Sequence, residues 1–440
     1  MNAMKHILLF GAGKSATVLI DYLKQTATEK NWQVTIVDEN LEALQSKLGD
    51  HELVKPVRLS IENEKERMAL IEKADVVISL LPGALQYLVA LDCLAASKHL
   101  LTASYIDEEM RALAGDIKQQ GILFLCEMGL DPGIDHMSAM QLIHRIKNDG
   151  GSISSFISHC GGLVAPESDD NPWHYKISWN PKNIVLAGKA GAAYKEKHEV
   201  RTTKYEHLFL NCAEVAVDGI GQLAYYPNRD SLSYIPVYQL EDAGTFMRTT
   251  LRHPDFCKGW QQIISFGLTD EKKIHQTDSL SIASFFEMHF RQKTTGTVLN
   301  DDLLQEQLLF LGLTDETLIN KGSCSSSDVL QFILEKKWVL RPEDKDMVVM
   351  LHEIEYEVKD HPAQGVTKIK SSLVVKGEDN MRTAMAKTVG LPLGIAASLL
   401  LEGKISETGL HIPIVPGIYE PVLKELEQFG VVFKEIENNF

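Results

Sequence analysis

The chain has 440 residues, too many for one ordinary core, so two or three domains are expected. Hydrophobic residues make up 44% and charged residues 24%, the proportions of a globular protein rather than a disordered or fibrous one. A formal net charge of −16 argues against nucleic acid or an anionic membrane as partner, and an anionic ligand would need a local cluster of Arg or Lys to overcome that field.

Residues 1–130 alternate strand and helix signals. The N-terminal apolar run is too short for a signal peptide and flows into a glycine loop. His6–Phe10 reads as a buried strand, "VLIDYL" carries helical periodicity, and Trp32–Asp38 is a β-branched second strand. Ala74–Gly83, Lys98–Tyr105 and Gly121–Met128 continue the series of apolar strands. Continuous apolar strands separated by helices predict a parallel sheet covered on both faces.

Beyond "GLDPGIDH" (129–136), Met137, Met140, Ile143 and Ile146 fall at helical spacing, and Gly150-Gly151 closes that helix. "SISSFISHCGG" reads as a strand. In "VVMLHEIEYEVK", Ile354, Tyr356 and Val358 alternate with Glu353, Glu355 and Glu357, which predicts an antiparallel strand with one wet face. A turn containing Pro362 and Gly365 leads to a hairpin partner, "TKIKSSLVVKG". Residues 254–346 are mostly helical and read as an insert, with a Ser/Asp cap cluster before "VLQFILEKKW". The segments "GIAASLLLEGK" and "EPVLKELEQFG" are two further helices. No stretch is expected to reach the roughly 18 apolar residues of a membrane span. The six scattered cysteines include no CxxC pair, so neither a metal site nor a disulfide framework is expected, and a reducing cytoplasm is the default setting.

Gly11, Gly13 and Ala16 form a G-x-G-x-x-A pattern directly after the first strand. Small residues there allow a tight turn and let backbone N–H groups approach a pyrophosphate at a helix N-terminus. Alone the pattern would also suit a structural turn; its place between a strand and a helix makes it a dinucleotide signal. Asp38 ends the second strand, where an acid accepts the adenosine ribose hydroxyls and repels the extra phosphate of NADP. The expected cofactor is NAD(P), with NAD favoured by Asp38.

Ligands of an open parallel sheet bind beyond the carboxyl ends of its strands. That rim collects Gly11–Ser15, Ser79–Gly83, Ala103–Tyr105 and Gly129–Gly133. The expected cofactor contacts are therefore Gly11, Gly13, Lys14, Ser15, Ala16, Asp38, Ser79, Leu80, Ala103, Ser104, Leu130, Asp131 and Pro132. Elsewhere, Cys160 precedes two glycines at a strand end, and His159 beside it should face the opposite way. Glu167, Asp169 and Asp170 suit a solvated loop. Arg229, Arg248 and Arg252 are the cations available to fork a carboxylate.

Together "GLDPGIDHM", "HCGGLVAPESDDNPWHYKISW", "YYPNRDS", "TLR" and "MAKTVGLPLGIAASLLLEGKI" resemble the saccharopine dehydrogenase family, in its glutamate-forming branch, essentially end to end. The resemblance implies an α/β architecture. A Rossmann dinucleotide-binding domain (1–130, completed by 393–440) accompanies an α/β substrate domain with a mixed or antiparallel sheet (131–253 and 347–392) and a helical insert (254–346). It implies reversible reduction of the imine between L-glutamate and 2-aminoadipate 6-semialdehyde to saccharopine, in lysine metabolism. It further implies site roles for Tyr105 beside Ser104, Asp131, Cys160, Arg229 and Thr250, with Tyr105, Asp131 and Cys160 as proton-transfer candidates. Family members in fungi that prefer NADP carry an Arg near the end of the second strand, where this chain has Asp38.

Rival expectations are an imine reductase of the carboxynorspermidine dehydrogenase kind, a semialdehyde dehydrogenase with Cys160 as nucleophile, and a nucleotide-sensing protein without chemistry. Small-molecule partners, no nucleic acid, no membrane and a homodimer complete the expectations.

Overall fold

The computed structural model describes residues 4–291, 301–358 and 365–439. The chain divides into two compact units, Met1–Asp149 with Met381–Val432, and Gly150–Asn380 with Phe433–Phe440.

In the first unit the strands are β1 (His6–Phe10), β2 (Gln33–Asp38), β3 (Val54–Arg58), β4 (Val76–Ser79), β5 (His99–Thr102) and β6 (Leu123–Leu125). They lie in the order β6-β5-β4-β1-β2-β3, every pair parallel, and the strand Gly409–His411 adds beside β6. Parallel neighbours need crossovers, supplied by α1 (Thr17–Lys30), α2 (Leu41–Leu48), α3 (Glu64–Ile71), α4 (Gly83–Ala95), α5 (Glu108–Ala112) and α6 (Ala114–Gln119). β3 was not expected: "VKPVR" carries Pro56 and two charged positions, and it survives as a strand because it sits at the sheet edge. α7 (Ile134–Asn148) matches the expected helix, and Gly150 follows it at φ +80. Gly151 does not cap that helix; it opens the next strand.

The second unit holds β7 (Gly151–Val164), β8 (Ala192–Glu196), β9 (Glu199–Thr203), β10 (Ala213–Val217), β11 (Gly221–Pro227), β12 (Arg229–Asp230) and β13 (Thr245–Arg252). β14 (Ile274–Gln276) and β15 (Ser323–Ser325) form a separate ribbon, and β16 (Asp346–Val358) and β17 (Thr367–Lys376) form the expected antiparallel pair. The expected turn at Pro362 lies outside the described residues. The main sheet runs β10-β11-β13-β7-β16-β17, mixed because β13 and β7 are parallel. β16 alternates only from Glu353 onward; Asp346–His352 is buried on both faces. The helices here are α8 (Pro181–Val185), α9 (Tyr234–Val237), α10 (Pro254–Ser265), α11 (Ile282–Arg291), α12 (Asp302–Leu311) and α13 (Ser326–Lys337). Ser325 and Asp328 form a reciprocal capping box at the start of α13. The residues of the expected insert share one core with Trp173, Tyr175 and Tyr226, so they form a layer on the sheet rather than a separate body.

The chain then returns to the first unit through α14 (Ala384–Leu401), β18 (Gly409–His411) and α15 (Pro416–Glu427). α14 corrects the expectation about apolar length: at 18 residues and mean hydropathy 1.6 it is long and apolar enough to span a membrane. It is nevertheless 78% buried in the fold, as a core helix is. Gly390 and Gly394 let it lie against α1, since a Cβ would meet Leu19 at 2.9 Å and Tyr22 at 2.6 Å. The tail also departs from expectation. Residues 131–149 and 381–392 belong to the first unit, and β19 (Lys434–Asn439) pairs antiparallel with β17 in the second sheet.

Candidate active site

Backbone contacts place the expected loops on one rim of the parallel sheet. Gly11 leaves β1 at φ +93, and a Cβ there would lie 3.1 Å from the carbonyl carbon and oxygen of Leu80, at the end of β4. Both facts require glycine. Gly13 differs: its φ is −61 and nothing lies within 4 Å of a Cβ built on it. No neighbour among the described residues demands a glycine there, so the open space fits a ligand's close approach. Gly13 also precedes the 3-10 turn Lys14–Ala16 and α1, neither of which has a side-chain cap. Uncapped N–H groups suit an anionic phosphate. Ser79 Oγ, at the end of β4, is buried without a partner. These features fit a dinucleotide.

Asp38 faces this loop. Its carboxylate accepts the Ala12 N–H at 2.8 Å and the Asn40 N–H at 2.9 Å. Lys47, from α2, was not expected here. Its ammonium donates to the carbonyls of Ala12 (2.6 Å) and Gly13 (2.9 Å), and burial pushes its pKa down against the pull of Asp38.

The other two loops also touch. Met128 N–H donates to Thr102 and Glu127 N–H to Ser104, while a Cβ on Gly129 would lie 3.1 Å from Ala103 Cβ. The "GLDPG" segment then folds back on itself: Gly129 N–H reaches Pro132, and Ile134 N–H reaches Gly129. The Asp131-Pro132 bond is cis. Gly133 has φ +145, and any Cβ on it would collide with Gly129 backbone at 2.1 Å. From Ile122 to Met140 every residue is buried except Asp131. A turn so enclosed that presents a single half-exposed carboxylate is not a bland surface connection.

Behind it lies a group absent from the sequence expectations. Glu127, buried and with φ +55, accepts the Ile106 N–H on one oxygen and meets His136 Nε2 at 2.8 Å on the other. Asp135 accepts the Gly133 N–H at 2.6 Å. The two acids thus tie the Tyr105–Ile106 loop and the "GLDPG" turn to α7. The signal was present in "GIDH", but an acid and a histidine after a turn read equally well as the solvated start of a helix.

The second unit assembles its own set. Cys160 on β7 pairs with Thr250 on β13, which pairs with Tyr226 on β11; residues in one such row point to one face. Arg252, two residues past Thr250, shares that face. It is 4% exposed, and its guanidinium lies 5.2 Å from the Tyr175 ring and 5.6 Å from Phe256. One of its nitrogens donates to the Leu251 carbonyl, and Nε is buried without a partner. Arg248 is equally buried, 4.5 Å over Tyr234. Arg229 is exposed, with φ +50, on the short β12, and the Arg248 carbonyl accepts the preceding Asn228 N–H. His159 faces away from Cys160, as expected: it bonds Thr249 Oγ1 at 2.7 Å and Glu353 at 3.3 Å. The acidic loop is more structured than expected. Asp170 holds Lys176 and Arg341 at 3.0 Å each, and Glu167 holds Lys376 at 2.8 Å.

Comparison with known proteins matches residues 7–125 to the model of the saccharopine dehydrogenase NADP binding domain and residues 129–431 to that of the saccharopine dehydrogenase C-terminal domain. The chain belongs to the saccharopine dehydrogenase family. Within that family it is 31% identical to the Saccharomyces cerevisiae saccharopine dehydrogenase [NADP(+), L-glutamate-forming], over 98% of this chain and 99% of that protein. It is 32% identical to the mouse mitochondrial alpha-aminoadipic semialdehyde synthase over 98% of this chain, but spans only 48% of that protein. The solved apo saccharopine dehydrogenase (L-Glu forming) from S. cerevisiae superposes with a TM-score of 0.87 at 29% identity, covering 99% of this chain and all of the yeast chain. The α/β architecture, a parallel dinucleotide sheet plus a mixed sheet, is therefore that of saccharopine dehydrogenases. Of the site residues expected from the resemblance, Ser104, Tyr105 and Asp131 belong to the first unit, and Cys160, Arg229 and Thr250 to the second.

Proposed function

We propose that this chain is an NAD(P)-dependent oxidoreductase acting on CH–NH bonds, a glutamate-forming saccharopine dehydrogenase. The reaction is the reversible reduction of the imine between L-glutamate and 2-aminoadipate 6-semialdehyde. The observation that carries the reading is Asp131, the one half-exposed residue in a buried run of chain, on the rim that also holds the glycine loop. The near full-length match to fungal enzymes named for that reaction supports it.

A bound reduced nicotinamide would supply hydride to the imine carbon. The chain's own share is positioning and proton handling. Gly11–Ala16 present backbone N–H groups to the pyrophosphate, and Asp38 takes ribose hydroxyls with the lone pairs its two amide bonds leave over. Asp131 holds the substrate amine as a counter-charge. Arg229 forks a substrate carboxylate, and Arg252, with a buried nitrogen lacking a partner, is a second carboxylate partner. Tyr105, Asp131 and Cys160 are the candidates for the proton transfers of imine formation and hydrolysis.

NAD is the favoured cofactor in this proposal, because an acid at the end of β2, here Asp38, repels a 2′-phosphate. Lys47 offsets that charge only in part, since its ammonium already serves two carbonyls. A homodimer and a cytoplasmic setting are further parts of the proposal, the latter supported by six free cysteines. The deciding experiment follows absorbance at the NADH band with saccharopine and either NAD or NADP. Turnover with saccharopine is expected, faster with NAD. Activity only with a diamine and aspartate semialdehyde would replace the substrate assignment.

A further inference from the structure

Away from the dinucleotide rim, in the second unit, the side chains of His174, His253 and Asp255 converge, with one ligating atom from each lying within 4.8 Å of the others. They come from two distant segments. His174 sits in the "DDNPWHYK" turn, in the left-handed region at φ +51, fixed by its N–H bond to Asn171. His253 and Asp255 form the N-terminal cap of α10.

Hydrogen bonding defines which atoms face inward. His174 Nδ1 lies 2.6 Å from Asp169 Oδ2, and a carboxylate only accepts, so Nδ1 carries a proton and the neutral ring presents its lone pair at Nε2. His253 Nδ1 is unprotonated too: its lone pair accepts the Asp255 N–H in a long bond of 3.3 Å, which a cation would replace. Each of these nitrogens lies 3.8 Å from the same oxygen, Asp255 Oδ2. The other Asp255 oxygen is taken by Lys258 at 3.2 Å. Two nitrogens and one carboxylate oxygen thus converge on one small space, with the long Asp255 N–H bond at its edge. A cation among them would be attracted by all three.

We propose that His174, His253 and Asp255 form a binding site for a divalent cation of the zinc class, with Asp169 holding the His174 ring from behind. Two imidazoles and one carboxylate are the donor set of three-ligand zinc sites, whose bonds of about 2.0–2.2 Å bring ligand atoms closer together than they lie here. The ring centroids of His174 and His253 are 3.7 Å apart, so the rings splay as the nitrogens close on the ion. A carboxylate on the far nitrogen of a ligating histidine fixes its tautomer and strengthens its donation. The three side chains are about one-third exposed, which leaves an entry path and room for water as a fourth ligand. The site is separate from the proposed dehydrogenase reaction and does not depend on it.

The test is calorimetric titration of the full chain with zinc, and titration with cobalt read in visible absorption. One equivalent of zinc should bind, and cobalt should give weak d–d bands without the strong near-ultraviolet bands of thiolate ligation. His174→Gln and His253→Gln, each checked for native circular dichroism, should abolish that equivalent, and Asp169→Asn should weaken it by about tenfold. Asp255→Asn serves as a second ligand variant if either histidine variant misfolds. Absence of a stoichiometric equivalent, thiolate bands in the cobalt spectrum, or unchanged binding in the folded ligand variants would overturn the site.

Discussion

Glu127 and His136 meet at 2.8 Å with both side chains buried, and the second oxygen of Glu127 holds the backbone of Ile106. This one carboxylate therefore couples the loop carrying Tyr105 to the helix that follows Asp131. Glu127→Ala removes the hydrogen bonds to the buried His136 and to the Ile106 N–H, at a cost of about 1–3 kcal/mol in urea unfolding. Glu127→Gln should keep the fold with a smaller loss. Its kcat should fall while dinucleotide affinity stays near that of the parent; an unchanged kcat would remove this pair from the site's support.

The two glycines of the first loop should separate folding from binding. Gly11→Ala forces a side chain into φ +93 against Leu80 and should cost about 1–3 kcal/mol of stability. The Cβ of Gly13→Val meets no heavy atom within 4 Å among the described residues, so stability should stay within about 0.5 kcal/mol of the parent. Its dinucleotide Kd should rise steeply. Equal nucleotide binding in Gly13→Val, measured by fluorescence titration, would contradict the placing of the pyrophosphate.

Cofactor choice should turn on Asp38 and Lys47. Asp38→Ser removes the charge that opposes a 2′-phosphate and should shift the ratio of kcat/KM toward NADPH. Lys47→Met should lower NADPH use more than NADH use. A parent enzyme that already prefers NADPH would show that Lys47, rather than Asp38, dominates the local field.

Arg229→Met should raise KM for the dicarboxylic amino acid by about 10- to 100-fold, the worth of a charged hydrogen bond, with little change for the cofactor. Cys160→Ser should retain measurable turnover, lowered by no more than the roughly 10²–10⁴-fold that a proton-transfer group contributes. A larger loss would bring the cysteine-nucleophile chemistry back into contention.

Acid should weaken the second unit through His159 and Glu353. Burial pushes the Glu353 carboxyl up, but hydrogen bonds from His159 and Lys370 outweigh it and hold the pKa at about 2. A carboxyl depressed in the folded state stabilises it above the unfolded pKa of about 4.3, and that gain, on the order of 3 kcal/mol, drains as pH falls toward 2. Burial lowers the His159 pKa, so the unfolded chain takes up that proton first and stability already begins to fall below about pH 6.5. Urea titrations from pH 7 to 3 should show both phases, and Lys370→Met should shrink the lower one. A pH-independent midpoint would refute the network's contribution.

The strands and the glycine loop were legible because buried parallel strands leave long apolar runs and a phosphate loop needs small residues at fixed spacing. β3 was not, since an edge strand tolerates Pro56 and polar residues that a central strand would reject. Arg252 and Arg229 illustrate the limit for sites. Both are lone arginines in sequence, yet one is 4% exposed between aromatic rings and the other lies in the open. Spacing carries no information about burial across a sheet. Lys47 and the His174–His253–Asp255 group were hidden for a related reason: their partners arrive from segments that only the folded backbone brings close.

The return of β19 to the second sheet, after α14, β18 and α15 have joined the first, means that neither unit is one uninterrupted piece of polypeptide. A ribosome has to release nearly the whole chain before either body owns all its parts. A gene cut after Asp149 therefore yields a nucleotide module missing α14, β18 and α15. Exchanging that module between relatives would take two grafts, with the last strand left in place.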